Sequence, residues 1–463
     1  MPAPAHSLAG PPEAFYAAAA KIYPRETQGR FSNWRKIAVV VLLGLFYSVA
    51  WMSWNGHQAL LFDLPARKFY IFGLTLWPQD FLYLAILLIL AALTLFFVTA
   101  LAGRLWCGYA CPQTVWTELF TWIERWTEGP RGRRIKLDRG PWTLAKVGRK
   151  TLKQGLWLAL AAYTGFTFVG YFTPIRALGG ELWQLTIGPA AAFWIFLYSF
   201  ATYGNAGFLR EQVCKYMCPY ARFQSAMFDR NTLIIAYDQP RGEPRGARRR
   251  GATAQEQGRG DCIDCTLCVQ VCPTGIDIRH GLQYECIACG ACIDACDGVM
   301  DKIGSPRGLI HYTTEDGSRG LPVRIARPRT LVYAALLLAV SGYLVYSLMT
   351  RMPLIVDVIR DRNALYREVN GEQIENTYTL KVINLDATPH VYQLTATGVD
   401  RLYVAEPSEP IGVSAATVSN VVVRLRAPES RAMGVNRITI TLRALDRDGI
   451  QVHENARFIG PRS

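Results

Sequence analysis

Apolar and polar positions alternate with three different periods along this chain, and each period predicts a different kind of structure. Ile37–Trp54, Phe81–Ala102, Gly155–Phe172, Leu185–Tyr203 and Leu331–Met349 contain no Asp, Glu, Lys or Arg, as expected of helices that cross about 30 Å of hydrocarbon. Gly155–Phe172 and Leu185–Tyr203 carry Thr164, Thr167, Gly188 and Pro189, so burial in a soluble helical core is their alternative. Val115, Trp116, Leu119, Phe120, Ile123 and Trp126 recur at helical spacing, with Glu118, Glu124 and Arg125 elsewhere on the wheel. That predicts an amphipathic helix lying on a membrane surface over Pro112–Trp126, with Pro219–Arg230 as its counterpart. After Met349 the period falls to two: Tyr378, Leu380 and Val382 alternate with Thr379 and Lys381, as do Val421, Val423, Leu425 and Ile438, Ile440, Leu442 with their neighbours. Turn signals at Asn384-Leu-Asp-Ala, Ala427-Pro-Glu-Ser and Asp446-Arg-Asp-Gly449 separate these strands, which predicts an immunoglobulin-like sandwich. No triad, metal cluster or phosphate loop is readable in it, so the tail is expected to dock a partner.

Charge orients the helices. The chain is 51% hydrophobic yet carries a formal charge of +14. Arg125, Arg131, Arg133, Arg134, Lys136, Arg139, Lys146, Arg149, Lys150 and Lys153 lie between the second and third stretches, whereas the opposite loops hold only Arg67, Lys68 and Arg176. The positive-inside rule then places the N-terminus and residues 241–329 in the cytoplasm of a bacterial inner-membrane protein, and five crossings export the C-terminus. The first thirty residues lack the apolar core of a cleavable signal, so the first helix is expected to remain as an anchor. The basic balance needs no nucleic acid: Arg241–Arg259 mixes Gly, Pro and Arg without aromatics, the composition of a solvated linker near anionic lipid.

Twelve cysteines carry the chemistry. Cys262, Cys265, Cys268 and Cys272 precede Pro273, and Cys286, Cys289, Cys292 and Cys296 repeat the spacing. The run C-x2-C-x2-C-x3-C-P is the bacterial two-cluster ferredoxin pattern, in which the fourth cysteine of each run ligates the other run's cluster. It predicts two [4Fe–4S] clusters, one on Cys262, Cys265, Cys268 and Cys296, the other on Cys286, Cys289, Cys292 and Cys272. A disulfide framework or a pair of zinc sites is the weaker alternative. Asp297 stands where the pattern has proline; its N–H is expected to be free to bond a sulfur and tune a potential. None of the twelve lies beyond Met349, in keeping with thiols held in a reducing compartment.

The other four form an internal repeat, Cys107-Gly-Tyr-Ala-Cys111-Pro112 and Cys214-Lys-Tyr-Met-Cys218-Pro219. Proline suits the first turn of a helix, so Cys111 and Cys218 are expected as N-caps. Beside Arg104, Lys215 or Arg222 their thiolates would be favoured. Two readings stay open: Cys107, Cys111, Cys214 and Cys218 bind Cu(I), another cluster or a transient metal, or they pack the ends of a bundle. Haem is set aside, because His6, His57, His280, His311, His390 and His453 all fall outside the apolar stretches and no C-x2-C-H site exists.

Paired C-x3-C-P motifs after the second and fourth helices, the Ala-Cys-Asp297 ending of the second run, the Met300-Asp-Lys-Ile-Gly-Ser-Pro-Arg-Gly-Leu-Ile segment, a fifth helix and an Ig-like tail resemble the FixG/RdxA/CcoG family, accessory proteins in the assembly of cbb-type cytochrome c oxidase. In that family Asp after the last cysteine is the usual form. The resemblance implies a membrane cupric reductase that converts Cu(II) to Cu(I) for the oxidase. It also implies copper-delivery or oxidase-assembly partners and an electron donor that the residues do not name. A quinol-oxidising subunit of the NapH/NosR kind and a non-catalytic assembly scaffold are the alternatives. The expected plan is a cytoplasmic segment (1–36), a four-helix membrane domain (37–240), an Arg/Gly-rich linker (241–260), a ferredoxin domain with connector (261–329), a fifth span (330–350) and the Ig-like domain (351–463).

Overall fold

The computed structural model describes residues 21–248, 258–362, 364–386 and 388–461. Residues 1–20 of the N-terminal segment, with His6, residues 249–257 of the linker and the side chain of Arg222 lie outside them. The chain divides into two compact units, residues 1–341 and 342–463.

Each apolar stretch forms a helix; Phe81–Ala102 keeps its expected bounds and the other four have shifted ends. Helix α1 spans Arg30–Val49, α2 Phe81–Ala102, α3 Leu105–Tyr109, α4 Pro112–Glu128, α5 Leu144–Val169, α6 Pro189–Thr202, α7 Pro219–Met227, α8 Ala291–Ile303 and α9 Pro328–Met349. By length and apolarity α2 and α9 qualify as membrane spans. Helix α6 alone is only about 21 Å long, but its chain continues as a π-helix over Tyr203–Leu209. The pair α5 and α6 packs backbone to backbone at Gly165, where a Cβ would meet Ile195 O at 2.6 Å and Ser199 Oγ at 2.3 Å. A small residue at that crossing is what close helix approach demands.

Helix α4 corrects the sequence reading. Its apolar side does face inward, with Val115 against Val39 and Leu43 of α1 and Phe120 against Trp157 and Ala161 of α5. Its charged side, expected toward water, is covered as well: Glu124 and Glu128 are buried. Arg134, Arg210 and Lys21 pair with Glu124, and Lys150 and Lys153 with Glu128. Buried carboxylates require such partners, so several cations that mark the inner loop by charge are also structural. Helix α4 is therefore a buried layer with Trp126 exposed at its end.

The ferredoxin segment is fastened to the helices. Asp294 of α8 accepts hydrogen bonds from the N–H groups of Phe31 (3.2 Å) and Ser32 (2.6 Å), satisfying first-turn donors of α1 that have no partner within the helix. The segment's flanks pair antiparallel, Ile234–Tyr237 with Ile310–Thr313. Part of the linker is structured rather than solvated, since Arg241 and Arg248 both reach Asp261.

The second unit is a two-sheet antiparallel sandwich. One sheet orders Tyr403–Glu406, Val418–Pro428, Gln373–Asn384 and Leu354–Arg360, with Arg367–Val369 also paired to Gln373–Asn384; the other orders Ile411–Val413, His390–Thr397, Val435–Ala444 and Gln451–Ile459. Tyr378, Leu380, Val382, Val423, Leu425, Ile438, Ile440 and Leu442 fill the core as the alternation predicts, while Val421 is only partly buried.

Candidate redox site

The two cysteine runs fold into matching loops. Asp264 and Thr266 of the first and Ala288 and Gly290 of the second all have positive φ, at the same positions relative to their cysteines. Left-handed residues curl the backbone so that successive N–H groups turn toward one centre, which is how a short loop wraps an anionic sulfur cage. Cys262, Cys265, Cys268 and Cys296 line a cavity with Leu267, Val299 and Leu309. Cys272, Cys286, Cys289 and Cys292 line another with Ile276, Ile278 and Ile287; Cys268 touches this one too. The fourth cysteine of each run thus stands at the cavity of the other run. Cys292 and Cys296 reach different cavities from one face of α8, a single turn apart.

The donor set suits a cage rather than a lone ion. Among the described residues no three His, Cys, Asp or Glu side chains gather closely enough to hold a single metal ion, whereas four sulfurs around an apolar cavity match the ligands of a [4Fe–4S] core. All eight thiols are free. Burial pushes Cys286 and Cys296 up to about 12 and Cys268 up to about 11, so the thiolates need a bound cation to persist, and metal loading must release protons. Asp297 plays a different part from the one expected. Its N–H belongs to the interior of α8, and its carboxylate accepts from the N–H of Gly308 at 2.9 Å.

The C-x3-C-P motifs lie against this centre. Cys107 sits in α3, and Cys111 is the N-cap of α4 with proline following, as predicted; Cys218 is likewise the N-cap of α7. Cys214 lies in a second π-helix, Val213–Met217, a distortion that recurs at functional sites. The four thiols are near enough that Cys111, Cys214 and Cys218 each oppose charging of Cys107. The thiolates of Cys107, Cys111 and Cys214 are not favoured. Burial pushes Cys107 up to about 12 and Cys214 up to about 11, because desolvation outweighs the charge of Arg104, and it raises Cys111 against the backbone N–H groups of Thr114 and Gln113.

Hydropathy gave no sign of how tightly the first motif and the ferredoxin meet. A Cβ on Gly108 would lie 2.6 Å from Ile287 O and 3.0 Å from both Ala288 O and Cys289 Cα. The Tyr109 hydroxyl donates to Cys289 O at 3.2 Å and that of Tyr312 to Ala288 O at 2.6 Å. The Arg104 guanidinium donates to Tyr284 O and Ala221 O, and the Cys107 thiol donates to Gln224 Oε1 at 3.3 Å. Cys107, Val271, Ile287, Cys289 and Ala291 form one buried cluster. A glycine inside the first motif, where the second has lysine, was the available signal. Away from this centre, the His57 ring rests on Tyr70.

Residues 209–315 match a family described as a 4Fe-4S dicluster domain, residues 84–134 one described as a 4Fe-4S binding domain, and residues 344–461 the Ig-like fold at the C-terminal of FixG. Protein RdxA of Cereibacter sphaeroides is 41% identical over 89% of this chain and 90% of its own. The chain belongs to the FixG family. Nitrogen fixation protein FixG of Rhizobium meliloti is 40% identical over 82% of this chain and 79% of its own. Ferredoxin-type protein NapH of Haemophilus influenzae is more distant, at 25% over 58% of this chain and 87% of its own. This FixG-family chain is an iron–sulfur electron-transfer protein with ferredoxin-like 4Fe-4S domains and a C-terminal Ig-like domain.

Proposed function

We propose that this protein is a bacterial inner-membrane cupric reductase acting in assembly of cbb-type cytochrome c oxidase, with Cu(II) as substrate and Cu(I) as product. The observation that carries the reading is the contact of α3 with the Ile287–Cys289 backbone, which sets soft thiols beside a cysteine-lined cavity. Cys262, Cys265, Cys268 and Cys296 would hold one [4Fe–4S] cluster, and Cys272, Cys286, Cys289 and Cys292 the other. Such clusters supply single-electron storage at low potential, the stoichiometry that Cu(II) + e⁻ → Cu(I) requires. Cys107, Cys111, Cys214 and Cys218 are the copper-facing group, because soft sulfur ligands select Cu(I); no more than two of them are close enough to share one ion. Cys107 is buried and the other three are half-buried. The Ig-like domain would grip copper-delivery or oxidase-assembly proteins.

The test is one-electron reduction of Cu(II) by purified, chemically reduced protein, read with a Cu(I)-selective chelator. Changing Cys111 and Cys218 together to Ser is expected to lower copper stoichiometry and cupric reduction while leaving cluster absorbance intact, since serine keeps the shape but is a hard, poorly ionised ligand. Full binding and reduction in the double variant would make these cysteines packing residues. A quinol-oxidising subunit would instead be reduced by quinol and leave Cu(II) untouched, and a scaffold would do neither.

The membrane reading comprises five crossings, a cytoplasmic N-terminus and ferredoxin, and an exported C-terminus. It is supported by apolar side chains exposed along four helices, among them Val40 on α1, Leu88 on α2, Phe196 on α6 and Leu338 on α9; lipid is the solvent such faces require. A reporter active only in the periplasm should give signal when fused after Ser463 and none after Arg259. The opposite pattern overturns the topology.

A further inference from the structure

An open cleft lies where the N-terminal segment, the first turns of α1, α4 and the Cys214 π-helix surround the ferredoxin loops. Its floor is apolar: Val271, Ile287 and Ala291 are buried there, and Pro273 adjoins them. These four lie next in sequence to Cys272, Cys286 and Cys292, and Cys214 forms part of the opposite wall. Its charged lining is mixed, with Arg25, Arg35, Lys36, Arg125 and Arg210 against Glu26, Glu118 and Glu211. Arg35 and Arg125 are engaged by Glu118, and among the described residues the exposed Arg25 and Lys36 make no ion pair. An open cleft with an apolar floor and a few charged groups at its rim has the lining of a small-molecule site.

We propose that this cleft binds a phosphate-bearing flavin of the flavin mononucleotide class, its ring on the floor and its phosphate between Arg25 and Lys36. The inference rests on the cupric-reductase reading and names its electron donor. Three constraints select the class. Cu(II) accepts one electron, so the donor must release electrons singly, which a pyridine nucleotide giving hydride does not do. The free cations at the mouth call for an anion, which a quinol lacks. The floor calls for a flat apolar ring. The balance is one dihydroflavin and two Cu(II) giving one oxidised flavin, two Cu(I) and two protons, the protons leaving to water through the open mouth.

The full-length, cluster-loaded protein in detergent is titrated with flavin mononucleotide and, separately, with riboflavin, reading flavin fluorescence. Flavin mononucleotide is expected to bind, and riboflavin about tenfold more weakly, for want of the phosphate contacts. Arg25→Glu with Lys36→Glu should weaken flavin mononucleotide about tenfold and leave riboflavin unchanged, with cluster absorbance confirming that the variant folds. No binding, equal affinity for the two flavins, or an unaffected double variant each overturns the proposal. The comparison of the two flavins on unmodified protein stands even if the variant fails to fold. Cupric reduction driven by dithionite in unmodified protein separates the two readings: if it proceeds without flavin binding, the flavin site falls and the reductase stands; if it fails while flavin binds with phosphate preference, the reverse holds.

Discussion

Replacing Cys272 by Ser is expected to halve the iron content, from about eight to about four atoms per chain, and to destroy the cluster that Cys286, Cys289 and Cys292 hold. Cys272 belongs by sequence to the first run, yet it stands at the cavity of the second. Serine is nearly isosteric but gives iron a hard oxygen in place of a thiolate, so the loss should be chemical, with little change in packing. Iron analysis and the spectrum of the surviving cluster check it, and Cys296→Ser should remove the other cluster. If Cys272→Ser spared the second cluster and removed the one on Cys262, Cys265 and Cys268, the crossover assignment would be wrong.

Gly108→Ala should uncouple the first C-x3-C-P motif from the ferredoxin. The added methyl would stand 2.6 Å from Ile287 O, and all three of its nearest neighbours are backbone atoms, which cannot rotate away as a side chain can. The interface must open or the loop must shift, a cost of about 1–3 kcal/mol by analogy with overpacked cores. Expected results are a lower melting temperature, retained iron, and slower cupric reduction at fixed dithionite. Gly148→Ala is the control: it lies inside α5 with open space around it, where alanine favours the helix by up to about 1 kcal/mol. Equal melting and equal rates for Gly108→Ala and the parent protein would show that the contact transmits nothing.

Much of this architecture was legible because it follows from one-dimensional rules. Cysteine spacing dictated which sulfurs share a cavity: short loops keep the first three thiols of each run together, and the repeated pattern assigns the fourth to the other run. Proline after Cys111 and Cys218 dictated the helix starts at Pro112 and Pro219, because its fixed φ suits a first turn. Alternation of Tyr378, Leu380 and Val382 dictated the inward face of a strand, because side chains on a strand point to opposite sides in turn.

Other features depended on contacts between segments far apart in the chain. The charged face of α4 reads as solvent-facing on a helical wheel. Only the approach of Lys21, Arg134, Lys153 and Arg210 from four other segments makes it a buried layer. The thiols beside Arg104 read as acidified, yet burial moves them the other way, and burial is a property of the assembled fold. Asp294 and Gly108 look unremarkable in their own segments, but each marks a join between the ferredoxin and the helices. Spacing and period act over a few residues and are written in the chain; desolvation, charge pairing and close backbone approach arise only when distant segments are brought together.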